Sequence, residues 1–83
     1  MKLLYFAWLR AKIGIAEETV DLPPGVATVG TLLDWLKRRG PGFAEALKDL
    51  SAVRVAVNQD YVPTSHPLKP GDEVALFPPV TGG

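Results

Sequence analysis

Val29, Leu32, Leu33 and Leu36 fall at i, i+3, i+4 and i+7, and no other feature constrains the fold as strongly. The stripe predicts one amphipathic helix. Thr28 opens it, with a hydroxyl that can accept from the free N–H groups of the first turn. Lys37-Arg38-Arg39 puts positive charge in the last turn, where it suits the helix dipole. Gly40 is placed for the left-handed conformation after the helix, and Pro41 prevents continuation. Burying each of these aliphatic side chains contributes about 1.5–3 kcal/mol at most. A chain of this length has a total stability of roughly 4–12 kcal/mol, so the stripe must be covered.

The flanking segments supply the cover. Leu3 to Leu9 (LLYFAWL) is apolar on both faces and predicts a central strand, followed by a short polar connection over Arg10 to Gly14. Glu17 to Leu22 alternates apolar and polar, which predicts a half-exposed strand stopped by Pro23-Pro24-Gly25. Phe43 to Leu50 reads as a second, shorter helix, and Val53 to Val57 as a β-branched strand. Asn58-Gln59-Asp60 is a turn, Tyr61-Val62 a short edge strand, and His66 to Asp72 a proline-fixed loop. Glu73 to Phe77 is the last strand, ended by Pro78-Pro79. The order predicts an α+β fold: a mixed sheet of four to five strands, one main helix on one face and a second short helix. The first and last strands are the most apolar and belong together in the middle, which is the ubiquitin-like β-grasp arrangement. Residues 1–77 form the domain and 78–83 an extended tail.

The chain has 83 residues, enough for one domain. Nine basic and nine acidic residues cancel, so there is no broad field for nucleic acid. There is no cysteine, hence no disulfide, thiolate metal site or thiol nucleophile. The one histidine, His66, reads as a loop residue pinned by Pro67 rather than a base or ligand. Lys37-Arg38-Arg39 reads as a helix end rather than an anion patch, and Trp8 and Trp35 as core rather than pocket. Neither glycine-rich phosphate-loop pattern occurs. The start of the chain has the look of a signal peptide, but Arg10 and Lys12 follow at once and no small-residue cleavage site appears. No apolar run is long enough for a membrane span, and a cytoplasmic setting is expected.

With no side-chain constellation to carry a reaction, the tail PPVTGG is the candidate. Six residues, Pro78 to Gly83, reach at most about 20 Å at roughly 3.3–3.6 Å each. Pro78 and Pro79 favour an extended exit and lower the entropy cost of holding it. Gly82 and Gly83 lack a Cβ and fit a channel too narrow for any other residue. Gly83 is the last residue of the sequence and is read as carrying the α-carboxylate. Such a carboxylate is suited to attack a nucleotide phosphate in another protein's active site and become an activated acyl group. A chain without cysteine can then hold sulfur as a thiocarboxylate at that terminus.

The chain resembles the small subunits of molybdopterin synthase, the MoaD family of ubiquitin-like sulfur carriers. The resemblance rests on LLYFAWLRAKIG (3–14), VAVNQ (55–59) and HPLKPGDEVALFPPVTGG (66–83), the last twelve residues being the most specific part. It implies that Gly83 is adenylated, becomes a thiocarboxylate and gives its sulfur to a cyclic pyranopterin precursor. The chain then binds no cofactor of its own; ATP and a sulfur donor act through a ubiquitin-activating-type adenylyltransferase (MoeB-like). The implied partner is the large synthase subunit (MoaE-like), in a heterotetramer of two small and two large subunits, with the catalytic side chains on the large subunit. By position, the resemblance implies that Gly82, Thr81, Val80, Pro79, Pro78, Phe77, Tyr61 and Arg10 contact partners. Tyr61 departs from the family, where an aliphatic residue is usual, and Ala11-Lys12 replaces an acidic residue often found after the arginine. Two other readings stay open: a carrier for thiazole synthesis, tRNA thiolation or protein conjugation, and a non-catalytic β-grasp interaction domain.

Overall fold

The computed structural model describes residues 1–79. β1 (Lys2–Tyr5) and β5 (Glu73–Phe77) run parallel at the centre of a five-stranded sheet. The order is β2-β1-β5-β3-β4, with β2 (Glu17–Thr19), β3 (Arg54–Val57) and β4 (Asp60–Tyr61) antiparallel to their neighbours. The expected mixed sheet with its most apolar strands in the middle is what forms. Leu3, Tyr5, Val74 and Leu76 alternate toward one face and are at most 1% exposed. That face receives α2 (Val29–Lys37), whose Val29, Leu32, Leu33 and Leu36 are all buried. Thr28 caps α2 by accepting from the Thr31 N–H, and the Thr31 hydroxyl oxygen accepts in turn from the Thr28 N–H at 2.9 Å. Among the described residues no helix is long and apolar enough to cross a membrane.

The first apolar run departs from expectation. LLYFAWL is not one strand: β1 ends at Tyr5, and Ala7–Ile13 form a helix, α1. Arg10 to Ile13 are therefore helical, not a connection. Leu9 and Ile13 sit at i and i+4 and face the core, while Arg10 and Lys12 face outward. Ala7, at φ 54°, turns the chain from strand to helix, and Gly14, at φ 96°, ends α1 by donating its N–H to the Arg10 carbonyl at 2.8 Å. Trp8 is 37% exposed rather than core, because the α1 register points it away from Leu9. Trp35 is half-buried against the core.

The second helix, α3, spans Pro41–Ala46, and a separate 3₁₀ turn covers Leu50–Ala52. Pro41 starts α3 at its first position, where a missing N–H costs nothing. Gly40 is accordingly extended (φ 161°) as the residue before α3, not left-handed as expected. α3 packs closely on α1: a Cβ built on Gly42 would lie 2.5 Å from the Lys12 carbonyl oxygen, so only glycine permits this approach. β2 is shorter than the alternating run, although Val20 still exchanges backbone hydrogen bonds with Met1.

One polar cluster ties β2 to the helices. The buried Tyr5 hydroxyl donates to Glu18 Oε2 at 2.6 Å, and Arg39 Nη1 donates to the same oxygen at 2.6 Å. The Arg39 guanidinium also lies 5.0 Å from the Trp35 ring centre and 4.8 Å from that of Phe43. Burial pushes the Glu18 carboxyl up, but the Arg39 and Tyr5 hydrogen bonds outweigh it and hold it below the ordinary range. A carboxyl held low in the folded state stabilises the fold above its unfolded value, and that contribution is lost as pH falls through the folded value. Glu18→Gln is therefore expected to lower stability at neutral pH by about 1 kcal/mol, discounted for partial exposure. Thermal melts should show the gap to wild type closing in acid. A gap independent of pH would mean the charge is not what holds the cluster.

Candidate functional site

The opposite face of the sheet carries no helix among the described residues. Alternation along β1 and β5 sends Leu4, Ala75 and Phe77 to this side, and along β3 it sends Arg54 and Ala56. Register then builds two rows. Leu4, Ala75, Ala56 and Tyr61 run straight across β1, β5, β3 and β4. One step further toward the exit of β5 come Phe77 and Arg54, which are cross-strand partners.

Phe77 is half-buried, and its ring centre lies 5.3 Å from that of Tyr61, tilted by 45°. This diagonal contact across β3 brings together two of the predicted partner-binding residues. Tyr61 is 72% exposed, and its cross-strand partner Ala56 is buried. Pro78 and Pro79 follow Phe77 directly and are half-buried. Val80, Thr81, Gly82 and Gly83 lie outside the described residues.

Arg10 is placed differently. It sits on α1, with its N–H donating to the Phe6 carbonyl at 3.3 Å, and its exposed guanidinium pairs with no carboxylate among the described residues. It therefore stands one helical turn beyond Phe6, with no ring contact to Phe77 or Tyr61.

Phe6 is the functional candidate that sequence reasoning missed. It is extended (φ −124°), donates its N–H to the Leu76 carbonyl at 3.1 Å, and is 47% exposed. It continues the outward alternation of Leu4 and stands one register step past the Tyr5–Leu76 pair, the level that Phe77 takes when the β1–β5 register is extended by one residue. The signal lay in the alternation Leu3, Tyr5 inward and Leu4, Phe6 outward, which a reading of LLYFAWL as buried on both sides conceals. Phe6, Phe77 and Tyr61 thus expose aromatic surface where the last strand gives way to the tail, the kind of apolar patch that marks a docking site.

The remaining candidates carry no reaction chemistry. His66 serves through its backbone: its carbonyl accepts from Val29 at 3.0 Å, and its N–H donates to Pro63 at 3.1 Å. Asp72 is a structural carboxylate, accepting from the Lys69 N–H at 2.8 Å and from Asn58 Nδ2 at 3.0 Å. A shallow cleft of about 190 Å³ lies between the 24–26 loop and α2, lined by Thr31, Asp34, Trp35 and Arg38, on the helix side. Among the described residues no group of three or more His, Asp or Glu side chains gathers as a metal site would need.

The sequence profile described as "ThiS family" matches residues 3–83. The molybdopterin synthase sulfur carrier subunit of Escherichia coli K12 is 42% identical over 85 residues, covering 100% of this chain and 99% of that protein. A Pyrococcus furiosus structure described as molybdopterin converting factor, subunit 1, superposes with a TM-score of 0.76 at 39% identity, covering 95% of both chains. SAMP1 from Haloferax volcanii superposes with a TM-score of 0.73 at 34% identity, covering 100% of this chain and 98% of the other. With its β-grasp sheet and its match along almost the whole length, the chain belongs to the ThiS family, among the MoaD-type molybdopterin synthase sulfur carrier subunits.

Proposed function

We propose that this chain carries sulfur on Gly83 for molybdenum cofactor biosynthesis, as the small subunit of a molybdopterin synthase. The observation that carries the reading is the position of Phe77. It ends a strand held at the centre of the sheet, shares an exposed aromatic face with Tyr61 and Phe6, and is followed at once by the Pro78-Pro79 stem. A partner that grips this face receives the rest of the tail in a set direction.

The proposed chemistry takes place in partners. A Gly83 carboxylate oxygen attacks the α-phosphorus of ATP in a MoeB-like adenylyltransferase, pyrophosphate leaves, and an acyl adenylate forms. Sulfide-level sulfur from a donor attacks the acyl carbon and loses its proton, AMP leaves, and the terminus becomes a thiocarboxylate. Gly82 and Gly83 then enter the MoaE-like large subunit, where the sulfur is transferred to the pyranopterin precursor and water restores the carboxylate. The dithiolene product needs two sulfurs, so charged carriers act in succession, which suits a heterotetramer of two small and two large subunits. The folded part, 1–77, binds and orients; the 78–83 stem delivers; and a cytoplasmic setting belongs to the same proposal.

The test is reconstitution. Thiocarboxylated protein, mixed with a large synthase subunit and the precursor, should yield molybdopterin in proportion to the thiocarboxylate consumed. Consumption without product would remove the client and keep the carrier. A second reading, conjugation of the activated carboxylate to amines of other proteins, draws support from the likeness to the H. volcanii small archaeal modifier protein 1, 29% identical with a TM-score of 0.68. It predicts amide-linked adducts where the first reading predicts none.

A further inference from the structure

Arg54 stands across from Phe77 in the β3–β5 register, on the face that no described helix covers. It is exposed. Its guanidinium makes one long hydrogen bond, Nη1 to the Ser51 carbonyl at 3.4 Å, and no ion pair among the described residues. Arginine has five N–H donors in a planar fork, so most of its capacity is free. The carboxylates of the same face do not compensate it. Glu17 is paired with Lys2 at 3.2 Å, and Glu73 stands at the far end of β5 from Phe77. The exit end of this face is therefore aromatic and cationic, although the chain as a whole carries no net charge.

We propose that Arg54 is a specificity residue of the docking face, meeting a carboxylate on the large synthase subunit beside the apolar acceptor for Phe77. The inference rests on the docking reading above and adds to it the chemistry of the partner: an apolar recess with an acidic rim. Rim charges of this kind steer encounter and reject like-charged surfaces more than they raise affinity. They act over a Debye length, roughly 30 Å at 0.01 M salt and about 10 Å at 0.1 M. A residue that only supported the 3₁₀ turn through Ser51 would show none of this salt dependence, and that turn already has a cap, because Asp49 Oδ1 accepts from the Ser51 N–H at 3.1 Å.

The experiment measures association and dissociation of the full chain with a large molybdopterin synthase subunit, at low and at physiological salt. Arg54→Glu is expected to slow association on the order of tenfold at low salt, with the deficit shrinking as salt rises. Arg54→Gln should cost roughly two- to fivefold, and dissociation should change little for either. Melting temperatures measured alongside separate folding from docking. Equal association of Arg54→Glu and wild type at low salt would overturn the inference, as would losses for both variants that ignore salt. Phe77→Ala reports on docking without altering charge: if it weakens binding while Arg54→Glu does not, the charge inference fails and the docking reading stands. If wild type does not bind, both fail.

Discussion

Removal of Gly83 is expected to abolish sulfur transfer and to leave the fold intact. The structure supplies the second half of this expectation: the buried apolar core among the described residues runs from Met1 to Leu76, and the sheet closes on β5 at Phe77. Deleting a residue six positions beyond the last strand should change stability by less than about 0.5 kcal/mol. The first half follows from chemistry. Without Gly83, the carboxylate moves back by one residue, roughly 3.3–3.6 Å. A displacement of about 1 Å is enough to cost a hundredfold where reacting atoms must meet. Turnover with a large synthase subunit, alongside a thermal melt, reads both halves at once. A truncated chain that transfers sulfur would remove the terminus from the mechanism, and one that melts far lower would mean that residue 83 packs on the domain.

Phe77→Ala is expected to weaken partner binding by about 2–4 kcal/mol, the range of an aromatic anchor at the centre of an interface. The fold should lose far less, because Phe77 faces the side that no described helix covers and its ring meets that of the exposed Tyr61. Leu76 provides the contrast. It is one residue away, fully buried on the other face, and Leu76→Ala should cost about 2–5 kcal/mol of folding stability. Titration calorimetry on the one variant and denaturant melts on the other separate recognition from packing at adjacent positions of one strand. A collapse of stability in Phe77→Ala would place that ring in the core and leave the docking face without its anchor.

The parts that were legible in the sequence are those where periodicity had one meaning. The α2 stripe could only be a helix, and EVALF before two prolines could only be a terminal strand, so the central pairing of β1 with β5 followed from hydrophobicity. LLYFAWL had two meanings. Its apolar residues satisfy strand spacing through Tyr5 and helix spacing from Leu9 to Ile13, and the switch rests on Ala7 adopting φ 54°, which no propensity announces. Trp8 is exposed rather than core for the same reason. Gly40-Pro41 has the pattern of a helix stop, and the same proline starts the next helix. At the candidate site, Phe77 and the proline stem stood out in sequence. The contact of Phe77 with Tyr61 depends on the register of two other strands, and the neighbouring Phe6 depends on where β1 ends. Those are long-range facts that local pattern does not contain.

The central claim is that the chemistry of this protein resides on its last carboxylate. Intact-mass measurement tests it most directly, after incubating the full chain with an activating enzyme, ATP and a sulfur donor. The account predicts a mass increase equal to exchanging one oxygen for one sulfur, confined to the C-terminal peptide and absent when Gly83 is deleted. An unchanged mass under conditions where the same enzyme charges the Escherichia coli carrier, or sulfur found anywhere but on Gly83, would contradict it.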